Sequence, residues 1–88
     1  MKHYIVLCNR HNSIHGKHFC LFWGYGKAVG GYTSDPYMAH RYTEHEISSF
    51  DDDSDIAIDI SLLGLPVENE IGNKNVIRLI EKGTINNI

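Results

Sequence analysis

The sequence predicts an α+β domain in which a small, mainly antiparallel sheet carries short helices on one face, in the order ββ(β)-α-β-α. Three observations lead there. An apolar run, His3-Tyr4-Ile5-Val6-Leu7-Cys8, is separated by only ten mostly polar residues from a second one, Phe19-Cys20-Leu21-Phe22-Trp23. A connection that short leaves no room for a crossover helix, so the two strands pair antiparallel. Further on, Ile56, Ile58 and Ile60 alternate with Asp55, Ala57 and Asp59, the period of a strand with one buried and one exposed face. Between these segments stand two helix-start signals in succession.

In order along the chain, residues 3–8 form a buried first strand and residues 9–18 a polar hairpin loop with Ile14 as its only large apolar residue. The second strand covers 19–25, with Gly24 and Gly26 weakening or bulging its end. Gly31-Tyr32-Thr33 is a short third strand or edge segment. Ser34-Asp35-Pro36 then combines a capping aspartate with a proline suited to a first helical position, opening at most a turn or two. Thr43-Glu44-His45-Glu46 has the spacing of a capping box and opens a helix to about Phe50, with Ile47 and Phe50 facing inward. The acidic run 51–55 breaks that helix and leads into the alternating strand. Leu62, Leu63 and Leu65 extend its apolar surface up to Pro66, and 66–72 is a linker. Asn73 caps a final helix over about 74–82, in which Val76, Ile77, Leu79 and Ile80 make one stripe and Gly83 ends it. No repeat is present, and residues 1–88 make one domain.

The chain has 88 residues, of which 42% are hydrophobic and 22% charged, enough apolar content for one small core. No apolar run approaches the roughly 18 residues that cross a bilayer. The N-terminal apolar run is followed by no small-residue cleavage site, so the expectation is a cytoplasmic protein without a membrane partner. Two cysteines do not make a disulfide framework. The net charge of −3 conceals a split. Residues 1–43 carry five lysines and arginines against Asp35 alone, whereas 44–88 carry ten acids against three cations. Such a split bears on which partner is met and in what orientation.

The sequence offers five kinds of candidate site. Cys8, His11, His15, His18 and Cys20 supply zinc donors, but their spacing matches no standard finger and no Cys-x2-Cys knuckle is present. Solvated histidines and packed cysteines are the plainer reading, with no metal and no other cofactor. The glycines at 24, 26, 30 and 31 fail the dinucleotide pattern on spacing, and Lys27-Ala28 fails the phosphate-loop pattern. A cysteine nucleophile would need an adjacent base and an orienting group. Nothing local supplies them, so the expectation is a protein that is not an enzyme. Tyr25, Tyr32 and Tyr37, with Trp23, Tyr42, Lys27 and Arg41, could stack on single-stranded nucleic acid, but the acidic half opposes direct binding. The most distinctive surface feature is the acidic set Glu44, Glu46, Asp51, Asp52, Asp53 and Asp55. It fits a surface that engages a basic partner, with Tyr25, Tyr32 or Tyr37 as anchors.

The residues Phe22-Trp23-Gly24, Gly31-Tyr32-Thr33-Ser34-Asp35, Ala39, Tyr42-Thr43-Glu44 and Glu46 also resemble a pattern in small phage and prophage proteins of Gram-positive bacteria. Ile56-Ala57-Ile58-Asp59 followed by Leu62 is similar in register. The resemblance spans about residues 4–63 and carries structural rather than catalytic motifs, so it implies no catalytic residues. It implies a small interaction protein that binds a host or defence protein, as anti-CRISPR inhibitors do. The alternative is a zinc-supported nucleic-acid-binding module built on the Cys/His hairpin. A third reading is a structural accessory that forms homo-oligomers.

Overall fold

The computed structural model describes residues 1–24, 31–48, 50, 54–70 and 78–86, and the fold is organised around its first strand. β1 (His3–Cys8) pairs along one edge with β5 (Asp55–Asp59) over five residues, from Tyr4 opposite Asp59 to Cys8 opposite Asp55. Along its other edge it pairs with two short strands. β2 (Phe22–Trp23) meets its C-terminal half at Leu7, and β4 (Tyr42–Thr43) meets its N-terminal half at His3 and Tyr4. β3 (Tyr32–Thr33) closes the far edge against β2, and all of these pairings are antiparallel. The predicted α+β class is therefore observed, as a five-stranded antiparallel sheet with short helices.

β1 is central because it is apolar without alternation. A strand that must bury both its faces needs such a run. Ile5 and Leu7 enter one cluster with Cys20, Phe22, Ala39, Ile58, Ile60 and Leu65. Val6 and Cys8 enter a second cluster on the opposite face with Trp23 and Tyr42. The helices follow this division, and the expectation of one covered face gives way. α1 (Glu44–Ile47) lays Ile47 and nearby Phe50 against the second cluster, whereas Ile85 of α2 (Lys82–Asn86) packs against the first.

The capping box is formed as the sequence implies. The Thr43 hydroxyl accepts from the Glu46 N–H at 3.3 Å, and Glu46 Oε1 accepts from the Thr43 N–H at 3.1 Å. Asp35 and Pro36 make a single turn, with Asp35 Oδ1 accepting from Tyr37 N–H at 2.9 Å.

Three further expectations are corrected. The second strand is shorter than 19–25. Its described regular part is Phe22–Trp23, while Phe19 forms an isolated bridge to Glu81. The C-terminal segment is the reason. Cys20 N–H donates to Ile80 O at 2.9 Å and Lys82 N–H to His18 O at 2.8 Å, so 80–82 runs antiparallel beside residues 18–20. The helix predicted over 74–82 is therefore absent from 78–81, and 74–77 lies outside the described residues. α2 begins at Lys82 and runs through Gly83 instead of ending there.

The third correction concerns β5. Ile58 and, just beyond the strand, Ile60 are buried as expected, but Ile56 is 41% exposed. Asp55, assigned to the outer face, is the residue that turns inward. The strand ends in a 3₁₀ turn, Ile60–Leu63, capped by Asp59 and closed by Gly64 at φ 65°, which is left-handed backbone that favours glycine.

Candidate functional site

The acidic corner begins on α1. Glu44 and Glu46 are exposed on a four-residue helix whose geometry is fixed by the capping box. Glu44 Oε1 accepts from Tyr4 Oη at 3.3 Å, which ties the helix to β1. The Glu46 carboxyl sits below its usual range, first because the Thr43 backbone N–H donates to it, then through the Thr43 hydroxyl and His40, with partial burial opposing. His40 Nε2 lies 3.8 Å from Glu46 Oε2. An open hollow of 540 Å³ lies beside this helix, lined by Met1, Lys2, Thr43, Glu44 and His45. Asp51, Asp52 and Asp53, predicted to continue the corner, lie outside the described residues.

Asp55 does not belong to that surface. Its side chain is 0% exposed, and it serves as a structural anion under the sheet. Trp23 Nε1 donates to Asp55 Oδ1 at 3.2 Å, and Arg10 Nη2 donates to both carboxylate oxygens at 3.3 Å. The Arg10 guanidinium also stands 5.7 Å from the Trp23 ring centroid. In β5 the side chains of Asp55, Ala57 and Asp59 share the face of Val6 and Cys8 by register, so the first of them meets Trp23 rather than water.

The predicted aromatic anchors separate. Tyr32 is 39% exposed, packed on Trp23 with ring centroids 4.6 Å apart, and met edge-on by His11 at 5.5 Å. Tyr37 is half-buried beneath the Arg78 guanidinium, 3.8 Å from its ring centroid, and packs on the first core cluster. It contributes to the interior and not to an open aromatic surface. Tyr25 lies outside the described residues.

The proposed zinc donors are not brought together. Cys8 and Cys20 are both fully buried and belong to the clusters on opposite faces of the sheet. The spacing in β1 and the register to β2 require this, because Leu7 opposes Phe22, and Cys20 shares a side with Phe22. His11, His15 and His18 are exposed in the hairpin loop. Among the described residues no group of three or more histidines, cysteines and carboxylates is arranged to hold a metal ion. Burial pushes the Cys20 thiol up from its ordinary value, against the nearby Lys82 charge, which makes it a weaker thiolate.

A polar hub went unseen in the sequence. Arg41, only 8% exposed, donates through Nη1 to Pro36 O at 2.7 Å and Ala39 O at 2.9 Å, and through Nε to Pro66 O at 3.0 Å. Its Nη2 is buried and has no hydrogen-bond partner among the described residues. Beside it Asp35 Oδ2 accepts from the Arg78 N–H at 3.2 Å, and Arg78 makes a two-armed contact with Glu70. Glu70 N–H in turn donates to Tyr37 O at 2.8 Å. The Asp35-Pro36 turn was the visible signal. Its partner Arg78, 43 residues away, carried none.

These pairs also change the meaning of the charge split. Arg10 with Asp55 and Arg78 with Asp35 join the basic and acidic halves across the fold. No family model, no curated protein and no solved structure matches the chain. Among the described residues no helix is long and apolar enough to cross a membrane.

Proposed function

We propose that the chain is a small phage-type interaction protein, acting in the host cytoplasm, that binds and inhibits or modulates a host nucleic-acid-processing or defence protein. The supporting observation is the rigid display of Glu44 and Glu46. Both are exposed on a helix held by a complete capping box and by the Tyr4 contact, so negative charge is presented at little cost in side-chain order. The acids at 51–53 follow a few residues later in the sequence and extend the same sign of charge. A fixed anionic corner suits a basic channel of the kind that holds nucleic acid, where it would raise the association rate and set orientation. The similarity of the FWG, GYTSD and YTEHE segments to small phage proteins supplies the biological setting. Among the described residues Tyr32 is the aromatic best exposed to add a contact near the opposite end of β1.

The test is capture from a Gram-positive host lysate on the immobilised chain, with the retained protein identified and its activity assayed. The expected result is a nucleic-acid-binding protein whose activity falls on addition of this chain and whose retention falls with salt. Capture that is indifferent to salt, or a retained protein whose activity is unchanged, would contradict the proposal.

A further inference from the structure

The loop between β1 and β2 lies at the end of β1 opposite α1, since β1 meets β4 at His3 and Tyr4 and enters the loop after Cys8. Ile14, at the tip of this loop, is 93% exposed. A bare apolar side chain is ordinary where the chain is loose, but the backbone around this one is fixed. Gly16 N–H donates to Ser13 O at 3.1 Å, closing a turn about Ile14 and His15, and Phe19 N–H donates to Gly16 O at 3.2 Å. Gly16 stands at φ 127°, a backbone conformation that favours glycine. Ser13 is buried. Its hydroxyl accepts from His15 N–H at 3.1 Å and shares a hydrogen bond with the Ser34 hydroxyl at 2.5 Å, which fastens the turn to the segment after β3. Ile14 is thus held out to solvent by a base that is itself interior, and little order remains to be lost when it is covered.

Around Ile14 the side chains of Asn12, His15, Lys17 and His18 are exposed, and residues 9–18 contain no carboxylate. Of the acids near the base of the loop, Asp55 is gripped by Arg10 and Asp35 by Arg78, while Glu81 stands opposite Phe19, where the loop ends. The tip therefore offers one aliphatic side chain inside a rim of hydrogen-bond donors that includes a lysine. That combination selects the occupant. Nucleic acid calls for several cations to neutralise its phosphates, and an anionic bilayer for more apolar surface than one isoleucine. A protein pocket with an apolar floor and carboxylates at its rim meets both parts of the tip.

We propose that the tip of this loop is an apolar anchor, in which Ile14 enters a carboxylate-rimmed pocket of a partner protein and Lys17 meets the rim. Tyr32, which His11 of the same loop meets edge-on at 5.5 Å, borders the contact. The anchor rests on the reading of the chain as an interaction protein, but not on the acidic corner, which lies at the other end of β1.

The test is photo-crosslinking in a Gram-positive host lysate, using the full chain with p-benzoylphenylalanine in place of His15, which leaves Ile14 as it is. A protein should be joined to the probe and be displaced by excess native chain. Ile14→Ser, with circular dichroism unchanged, should need at least about tenfold more to displace it. Lys17→Glu should compete a few-fold more weakly than the native chain, and Lys17→Arg as well as it does. The same photoprobe in place of Val67, also exposed, controls for adhesion and should not give that product. Absence of a displaceable product, or equal competition by the native and Ile14→Ser chains, would overturn the proposal. So would stronger competition by Lys17→Glu, a product shared with the Val67 probe, or one lost on nuclease treatment. Salt-dependent capture without a product at position 15 removes the anchor and leaves the acidic corner standing; a product without salt-dependent capture does the reverse.

Discussion

The indole N–H of Trp23 donates to the carboxylate of Asp55 at 3.2 Å, joining β2 to β5 across β1, which separates them in the sheet. Arg10, a third participant from the hairpin loop, neutralises the same carboxylate. Asp55→Ala leaves a buried indole donor without its acceptor and takes from Arg10 the carboxylate it grips with Nη2. A loss of about 2–3 kcal/mol is expected in urea unfolding, with a change in tryptophan emission of the folded state. A value within about 0.5 kcal/mol of zero, typical of a surface acid, would return Asp55 to the surface.

Two glycines separate the observed C-terminal segment from the predicted one. Gly64 closes the 3₁₀ turn at φ 65°, so Gly64→Ala should cost about 1–2 kcal/mol. Gly83 lies inside α2 without a positive φ, and a Cβ there meets nothing within 4 Å. Gly83→Ala should therefore stabilise by about 0.5–1 kcal/mol. Had Gly83 ended a helix over 74–82 in left-handed backbone, the alanine would destabilise instead. Thermal unfolding of the two variants reads the difference as opposite signs.

Much of the fold was legible in local residues and less of it in distant ones. β1, the hairpin, β3, the Asp35 turn and the capping box were all written in runs, spacings and turn residues within a few positions of one another. The predicted C-terminal helix failed over 78–81 because its apolar stripe has a tertiary competitor there, the backbone of His18 and Cys20, which bonds Lys82 and Ile80. Ile56 failed for a related reason. Alternation marks which side chains share a face but not how far the cover over that face extends, and at the sheet edge it stops short of Ile56. Of the candidate site, Glu44, Glu46 and Tyr32 are exposed as the residues suggested. Asp55 and Tyr37 are absorbed by Trp23 and Arg78, partners 32 and 41 positions away that no local pattern announces.

Glu46 links stability to pH. Its carboxyl is lowered in the fold, chiefly by the Thr43 backbone N–H, so its contribution is complete above the carboxylate's unfolded pKa. That contribution is lost as pH falls through the lower folded value. Urea midpoints measured from neutral to acidic pH should show a smaller acid loss in Glu46→Gln than in the native chain. Thr43→Ala should remove the two bonds of the hydroxyl, from the Glu46 N–H and to Glu46 Oε1, while the Thr43 N–H still donates to Glu46, and cost about 1 kcal/mol at neutral pH.

Arg41 is tested by keeping its charge. Arg41→Lys retains a cation but cannot reach Pro36, Ala39 and Pro66 carbonyls together, and should destabilise by at least about 2 kcal/mol. Arg41→Met should be as damaging, which amide-exchange protection at residues 37–41 would register as a local loss.

The thiols give a test of the two-faced core. Cys8 and Cys20 are both 0% exposed, and an aromatic disulfide reagent should label neither in the folded chain and both in urea. Prompt labelling of one cysteine under native conditions would mean that its cluster is not closed.

The central claim is that a fixed acidic corner, and not the buried Asp55, meets a basic partner. It is tested most directly by the salt dependence of the Kd for the captured partner. The native chain is compared with the quadruple variant Glu44→Gln, Asp51→Asn, Asp52→Asn, Asp53→Asn over a roughly tenfold range of ionic strength. Glu46 stays because it caps α1, and a Glu68→Gln, Glu81→Gln variant shows what the loss of two carboxylates elsewhere on the surface does. The account predicts a steep loss of affinity with salt in the native chain and in the control, and a weak, nearly salt-independent interaction in the quadruple variant. Equal slopes in all three would contradict it.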